Sequence, residues 1–107
     1  MKNVVKKENA VPRQFLGVDF VVLSIGKDTM VTKMLYKPTD NVPFHKHPNE
    51  QSGYVISGKY NLKFDGQEYP LLSGDTYSIP ANVEHSIEII EAGEVVDVFS
   101  PIRQDYL

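Results

Sequence analysis

Residues Pro43 to Gly58 read PFHKHPNEQSGYVISG, with two histidines, a glutamate and a glutamine inside seven residues. His45 and His47 share parity, so in an extended segment both side chains leave the same face. Two neutral imidazoles side by side grip a divalent metal, and Pro43 and Pro48 restrict the backbone on either side of them. The third histidine of the chain, His85, lies in EHSIEII in phase with Ile87 and Ile89, while Glu84, Ser86 and Glu88 take the other face. An inward histidine needs a hydrogen-bond partner or a metal, because polar nitrogens buried unpaired cost about 1 to 3 kcal/mol. Singly, His85 reads as a hydrogen-bonded core histidine and the His-x-His pair as a surface accident. Jointly, with every histidine in a strand context and one facing inward, they point to a metal site. The chain has no cysteine, so the ligands must come from imidazole, carboxylate, amide or water.

The ending EVVDVFSPIRQDYL sets Asp97 in an otherwise apolar strand. Val95, Asp97 and Phe99 share one face and Val96 and Val98 the other, so Asp97 is expected to be at least partly buried. It reads either as a general acid or base, its pKa moved by desolvation or by a cation, or as the partner of Arg103 or the cap of a turn. Arg103, beyond the turn made by Ser100 and Pro101, carries the planar fork that clamps a carboxylate; its plainer reading is a surface arginine.

These residues need strands to hold them. No long stretch carries a helical stripe, whereas short runs rich in Val, Ile, Tyr and Phe recur between Gly, Pro, Asn and Asp, which predicts an all-β sandwich or closed barrel. DFVVLSIG and TMVTKMLY flank Gly26-Lys27-Asp28 at hairpin spacing. KYNLKF alternates strictly, putting Tyr60, Leu62 and Phe64 on one face, and Asp65-Gly66 predicts a type I′ turn into QEYPLL. LLSGDTYSIPANVEHSIEII is strand material broken at Ser73-Gly74-Asp75 and Pro80-Ala81-Asn82, and EVVDVFSP is the last strand. Residues 1–13 are expected to be an arm that docks elsewhere, such as on a partner subunit, and residues 14–107 the folded domain.

At 107 residues there is room for one core. Eleven basic residues are scattered against fourteen acidic ones, so no concentrated basic face predicts nucleic-acid binding. No segment predicts a signal peptide or membrane span, and a cytoplasmic location is expected.

The two histidine segments resemble the signatures of the cupin superfamily. HKHPNEQSGYVISG is similar to the first, two histidines, an acidic or amide residue soon after, then a strand ending in glycine. GDTYSIPANVEH is similar to the second, with Asn82 where glycine is usual, a change that the tolerance of Asn for positive φ allows. The resemblance covers about residues 30 to 100. It implies a single-domain cupin β-barrel, a double-stranded β-helix of jelly-roll type. The metal inside it is then held by His45, His47, His85 and the residue at 50 or 51. The family spacing selects Gln51, and alternation then turns Glu50 away. Three imidazoles and an amide are neutral, so one divalent first-row ion (Ni, Zn, Fe, Co or Mn) keeps its full charge, which favours an anionic ligand and Lewis-acid work over oxygen activation.

The tail is similar to that of small cupins of pectin and alginate breakdown, which open the ring of 4,5-unsaturated uronate monosaccharides to give 4-deoxy-5-keto-uronates. Asp97, Phe99 and Arg103 match active-site positions of that group, with Ile102 and Gln104 in place of its more usual tail residues. The resemblance therefore implies Asp97 as proton carrier, Phe99 as a wall for the sugar, Arg103 as clamp on the carboxylate of a small anionic sugar, and a homodimer. A different cupin enzyme, a dioxygenase or isomerase, and a sugar or metabolite sensor without turnover are the alternatives.

Overall fold

The computed structural model describes residues 3–107, ten strands and two short 3₁₀ turns. The strands are β1 (Val11–Phe15), β2 (Val18–Ile25), β3 (Met30–Tyr36), β4 (Asn41–His45), β5 (Glu50–Val55), β6 (Lys59–Phe64), β7 (Gln67–Leu71), β8 (Thr76–Ile79), β9 (His85–Glu91) and β10 (Gly93–Ser100). They hydrogen-bond into two antiparallel sheets, one in the order β1-β2-β3-β10-β5-β8 and the other in the order β4-β9-β6-β7. The all-β expectation holds, and the strands pair as two facing sheets, not as one continuous ladder.

Alternation decides what each strand buries. Along β3, Met30, Thr32, Met34 and Tyr36 are buried and the residues between them half-buried; along β10, Val95, Asp97 and Phe99 are buried. These side chains meet Phe20 of β2, Val55 of β5, Tyr60 and Leu62 of β6, Ile79 of β8 and Ile87 of β9 in one core between the sheets. Full burial of side chains of this size stabilises by roughly 1.5 to 3 kcal/mol each, so the inner faces are fixed in register. A one-residue slip would turn every one of them to solvent.

The turns follow their residues. Asp65 and Gly66 both have positive φ, 56° and 71°, as the type I′ hairpin between β6 and β7 demands. Asn82 sits at φ 64° in the turn that delivers β9, so it does take the conformation that glycine usually supplies. One hairpin begins earlier than the sequence suggests: β1 starts at Val11 and pairs along its length with β2, so the last three residues of the expected arm belong to the sheet. Its turn is Leu16-Gly17, with Leu16 at φ 52°, a conformation that leucine rarely adopts and that composition therefore does not signal. Met1 and Lys2, the start of that arm, lie outside the described residues.

Candidate metal centre

The two sheets bring one half of the centre each. In the four-stranded sheet the last residue of β4, His45, stands opposite the first of β9, His85, and His47 follows two residues beyond β4. In the six-stranded sheet Phe99 of β10 stands opposite Gln51 of β5, and Asp97 opposite Gly53. His47, Gln51, His85, Asp97, Phe99 and Arg103 are all buried and His45 is half-buried, whereas Glu50 points to solvent. Alternation along β5 thus separates the amide from the carboxylate, as the spacing suggests.

Each imidazole is oriented by a backbone carbonyl two residues away. Nδ1 of His45 lies 2.9 Å from Pro43 O, Nδ1 of His47 2.9 Å from Asn49 O, and Nδ1 of His85 2.9 Å from Val83 O. A carbonyl oxygen only accepts, so in each neutral ring Nδ1 carries the proton and Nε2 keeps its lone pair. The ligating atoms of the three histidines lie within 4.8 Å of one another. His85 Nε2 is buried with no hydrogen-bond partner, and His47 Nε2 faces Gln51 Oε1, also an acceptor, at 3.1 Å. Lone pairs converging in a buried site call for a cation among them, so the residues present fit a metal ion. Burial holds all three imidazoles below the ordinary histidine pKa, His85 down to about 4. They are therefore neutral, and competent as ligands, at physiological pH.

Asp97 lies beside this set. Burial pushes its carboxyl up to about 6, against the lowering effect of hydrogen bonds from Tyr77 and Gln51 and of the charge on Arg103. Tyr77 Oη donates to Asp97 Oδ1 at 2.5 Å. That contact depends on Gly53, which lies between β8 and β10: a Cβ there would fall 2.1 Å from the Tyr77 ring. Sequence reasoning missed Tyr77, although its parity with the buried Ile79 is the signal that places it inward. Phe99 stands edge-on to His47, ring centroids 5.6 Å apart.

Arg103 is buried at the mouth of the cavity, its guanidinium 3.9 Å from the ring centroid of Tyr106 and near those of Phe15 and Phe99. Its hydrogen bonds go to Asp105 and to Tyr106 Oη, and none goes to Asp97, so neither the surface arginine nor the Asp97–Arg103 pair is what the chain builds. Asp105, Tyr106 and Asn49, whose Nδ2 donates to Pro101 O at 2.7 Å, are further residues of the site that sequence reasoning did not single out. The cavity lined by His45, Gln51, His85, Asp97 and Arg103 has a volume of about 20 Å³. A groove of about 650 Å³ between β7 and β8 touches Tyr77 but none of the histidines, so size alone does not locate the chemistry.

The profile of the family described as "Cupin domain" matches residues 32–99, which contain all three histidines, Gln51 and Asp97. The chain belongs to the cupin family. This cupin is 37% identical over 65 residues to the pectin degradation protein KdgF of Dickeya dadantii (strain 3937), covering 59% of each chain. It is 44% identical over 78 residues to quercetin 2,3-dioxygenase of Bacillus subtilis (strain 168), covering 63% of this chain and 23% of that one. The chain thus spans less than two thirds of either relative. Among solved structures, KdgF from Halomonas sp. superposes with a TM-score of 0.88 over 98% of this cupin and 100% of that chain; at 23% identity this speaks for the fold. Among the described residues no helix is long and apolar enough to cross a membrane.

Proposed function

We propose that this cupin is a metal-dependent enzyme that opens the ring of 4,5-unsaturated uronate monosaccharides, giving 4-deoxy-5-keto-uronates. The observation that carries the reading is a neutral three-imidazole, one-amide ligand set beside a buried carboxyl whose pKa of about 6 suits both giving and taking a proton. The similarity to a pectin degradation protein supports the substrate class.

His45, His47, His85 and Gln51 would hold the ion. When bound, it supplies uncompensated positive charge that favours an anionic substrate and stabilises negative charge developing on oxygen. Asp97 takes the proton of the anomeric hydroxyl; as the C1 carbonyl forms, the bond from C1 to the ring oxygen breaks and its electron pair stays on that oxygen, leaving an enolate at C4–C5. Asp97 returns a proton to C4 and the ketone forms at C5. Atoms and charge balance with no redox step, and a carboxyl with pKa near 6 is poised for both transfers. Arg103 holds the carboxylate of the sugar and Phe99 closes the side of the site against water.

A freshly generated unsaturated uronate, followed by the NMR signal of its vinyl proton, tests this. Loss of the signal is expected to be faster with metal-loaded protein than with chelated protein or buffer. Equal rates in all three would remove the ring-opening assignment.

The similarity to quercetin 2,3-dioxygenase favours a second reading, oxygen-dependent cleavage. Oxygen uptake by the ferrous protein with a flavonol would support it; the absence of a carboxylate from the ligand set speaks against it.

The outward faces of β10 and β3 carry Val96, Val98 and Val31, all half-buried in the single chain, and the protein is proposed to pair there as a homodimer. Val98→Lys is expected to halve the sedimenting mass; an unchanged mass would contradict that surface.

A further inference from the structure

At about 20 Å³, the cavity beside the histidines has room for an ion or one water, and none for a monosaccharide. An organic ligand must therefore displace protein from the lining, which includes Arg103 and Tyr106 of the C-terminal segment. Asn49 secures Pro101, but among the described residues no backbone hydrogen bond ties residues 102–107 to a strand. Tyr106 N and Leu107 N donate only to Arg103 O and Gln104 O within their own 3₁₀ turn.

That turn carries Asp105, whose carboxylate lies across the fork of Arg103. Nε donates to Oδ1 at 3.1 Å and Nη2 to Oδ2 at 2.6 Å, the two-point geometry with which a guanidinium binds any carboxylate. The partners are unequally fixed. The Arg103 side chain is 3% exposed and stacked on aromatic rings, whereas that of Asp105 is 54% exposed and can turn into water. Two residues apart in sequence, they hold no strands together, and what the contact supplies is an anion for the buried guanidinium.

We propose that Asp105 is the resting occupant of a carboxylate site on Arg103. Small carboxylate ligands enter by exchange with it, and Asp105 thereby selects ligands whose carboxylate can take over both of its hydrogen bonds. The exchange keeps one anion on the buried guanidinium in both states, so no charge is left unpaired in the interior. A neutral sugar has only hydroxyls to offer in place of a charge-assisted pair and does not displace Asp105. The proposal rests on the reading of Arg103 as the clamp on the ligand carboxylate, and it does not depend on what reaction follows.

Calorimetric titration of the full-length, metal-loaded protein with D-galacturonate and with D-glucose tests it, since the first carries a carboxylate, the second does not, and neither has the double bond that ring opening consumes. Asp105→Ala is expected to bind galacturonate about tenfold more tightly than wild type, because the internal competitor is gone, with glucose unchanged. Formate should raise the unfolding temperature of Asp105→Ala and not that of wild type, by filling the vacated fork. Equal galacturonate affinity in the two proteins, or an equal gain for glucose, which would mean only that the mouth is wider, overturns the exchange. No vinyl-proton acceleration by the wild-type protein, alongside tenfold tighter galacturonate binding by Asp105→Ala, would remove the ring-opening reading and leave the exchange in place.

Discussion

The histidine wall and the mouth of the same cavity are built by different means. His45 and His85 face each other across a strand pair, and all three imidazoles are aimed by backbone carbonyls in β4 or in the segments leading into β5 and β9, so the main chain fixes their positions. Arg103, Asp105 and Tyr106 follow the last strand and are held by side-chain contacts to one another and by aromatic packing. A metal needs donors placed to within a few tenths of an ångström, which strand ladders supply. A ligand that must enter and leave needs a boundary that can give way, which a short tail supplies. Substitutions in the wall should therefore remove the metal, and those at the mouth should leave the metal and change the ligand.

The largest effect is expected at the wall. His85→Ala should weaken metal affinity by about 100-fold or more, beyond what loss of an outer hydrogen bond costs, read by competition with a chromophoric chelator after circular dichroism has confirmed the fold. Undiminished affinity would mean that the buried, unpartnered Nε2 is not a ligand.

Tyr77→Phe touches neither wall nor mouth but the carboxyl between them. Tyr77 lowers the pKa of Asp97, so its removal should raise that pKa and move the acid limb of the kcat/KM profile to higher pH, with a roughly ten- to hundredfold loss of kcat/KM at neutral pH. A loss with no movement of the limb would assign Tyr77 to packing alone.

At the mouth, Arg103→Lys retains charge but not the fork, and KM should rise about tenfold with metal content unchanged. Metal loss in this variant would erase the distinction between the two regions.

The smallest effect is on stability. The metal-free protein should unfold at lower urea as pH falls from 6.5 towards 4, because the unfolded chain protonates its histidines while burial keeps the folded ones neutral, His85 down to about 4. Asp97 works in the opposite sense: its raised carboxyl contributes stability fully present below 3.8 and lost as pH rises through about 6. With three imidazoles against one carboxyl, the net midpoint should drop by about 0.5 M urea or more across this range. A flat or rising midpoint would show that the imidazoles are not desolvated.

The wall was more legible in the sequence than the mouth, for the same physical reason. Parity carried His85 inward, and once the cupin spacing had selected Gln51, alternation turned Glu50 outward, because strand alternation is a rule that sequence displays. Asp97 and Phe99 followed from it too. The two-residue reach from Arg103 to Asp105 depends on a 3₁₀ turn with no periodic signature, and β1 on a leucine in a left-handed conformation. Tyr77 was half legible: its parity is visible, but its reach to Asp97 depends on Gly53 in a different strand, a pairing visible only in the folded sheet.

The most direct test of the central claim, that a neutral metal set and Asp97 act together on an unsaturated uronate, is the rate of vinyl-proton loss with wild type and Asp97→Asn at equal, measured metal content. The account predicts that the variant keeps its metal and loses about 10² to 10⁴ of the protein-dependent rate. Equal rates with equal metal would contradict it and leave Asp97 a buried structural carboxyl.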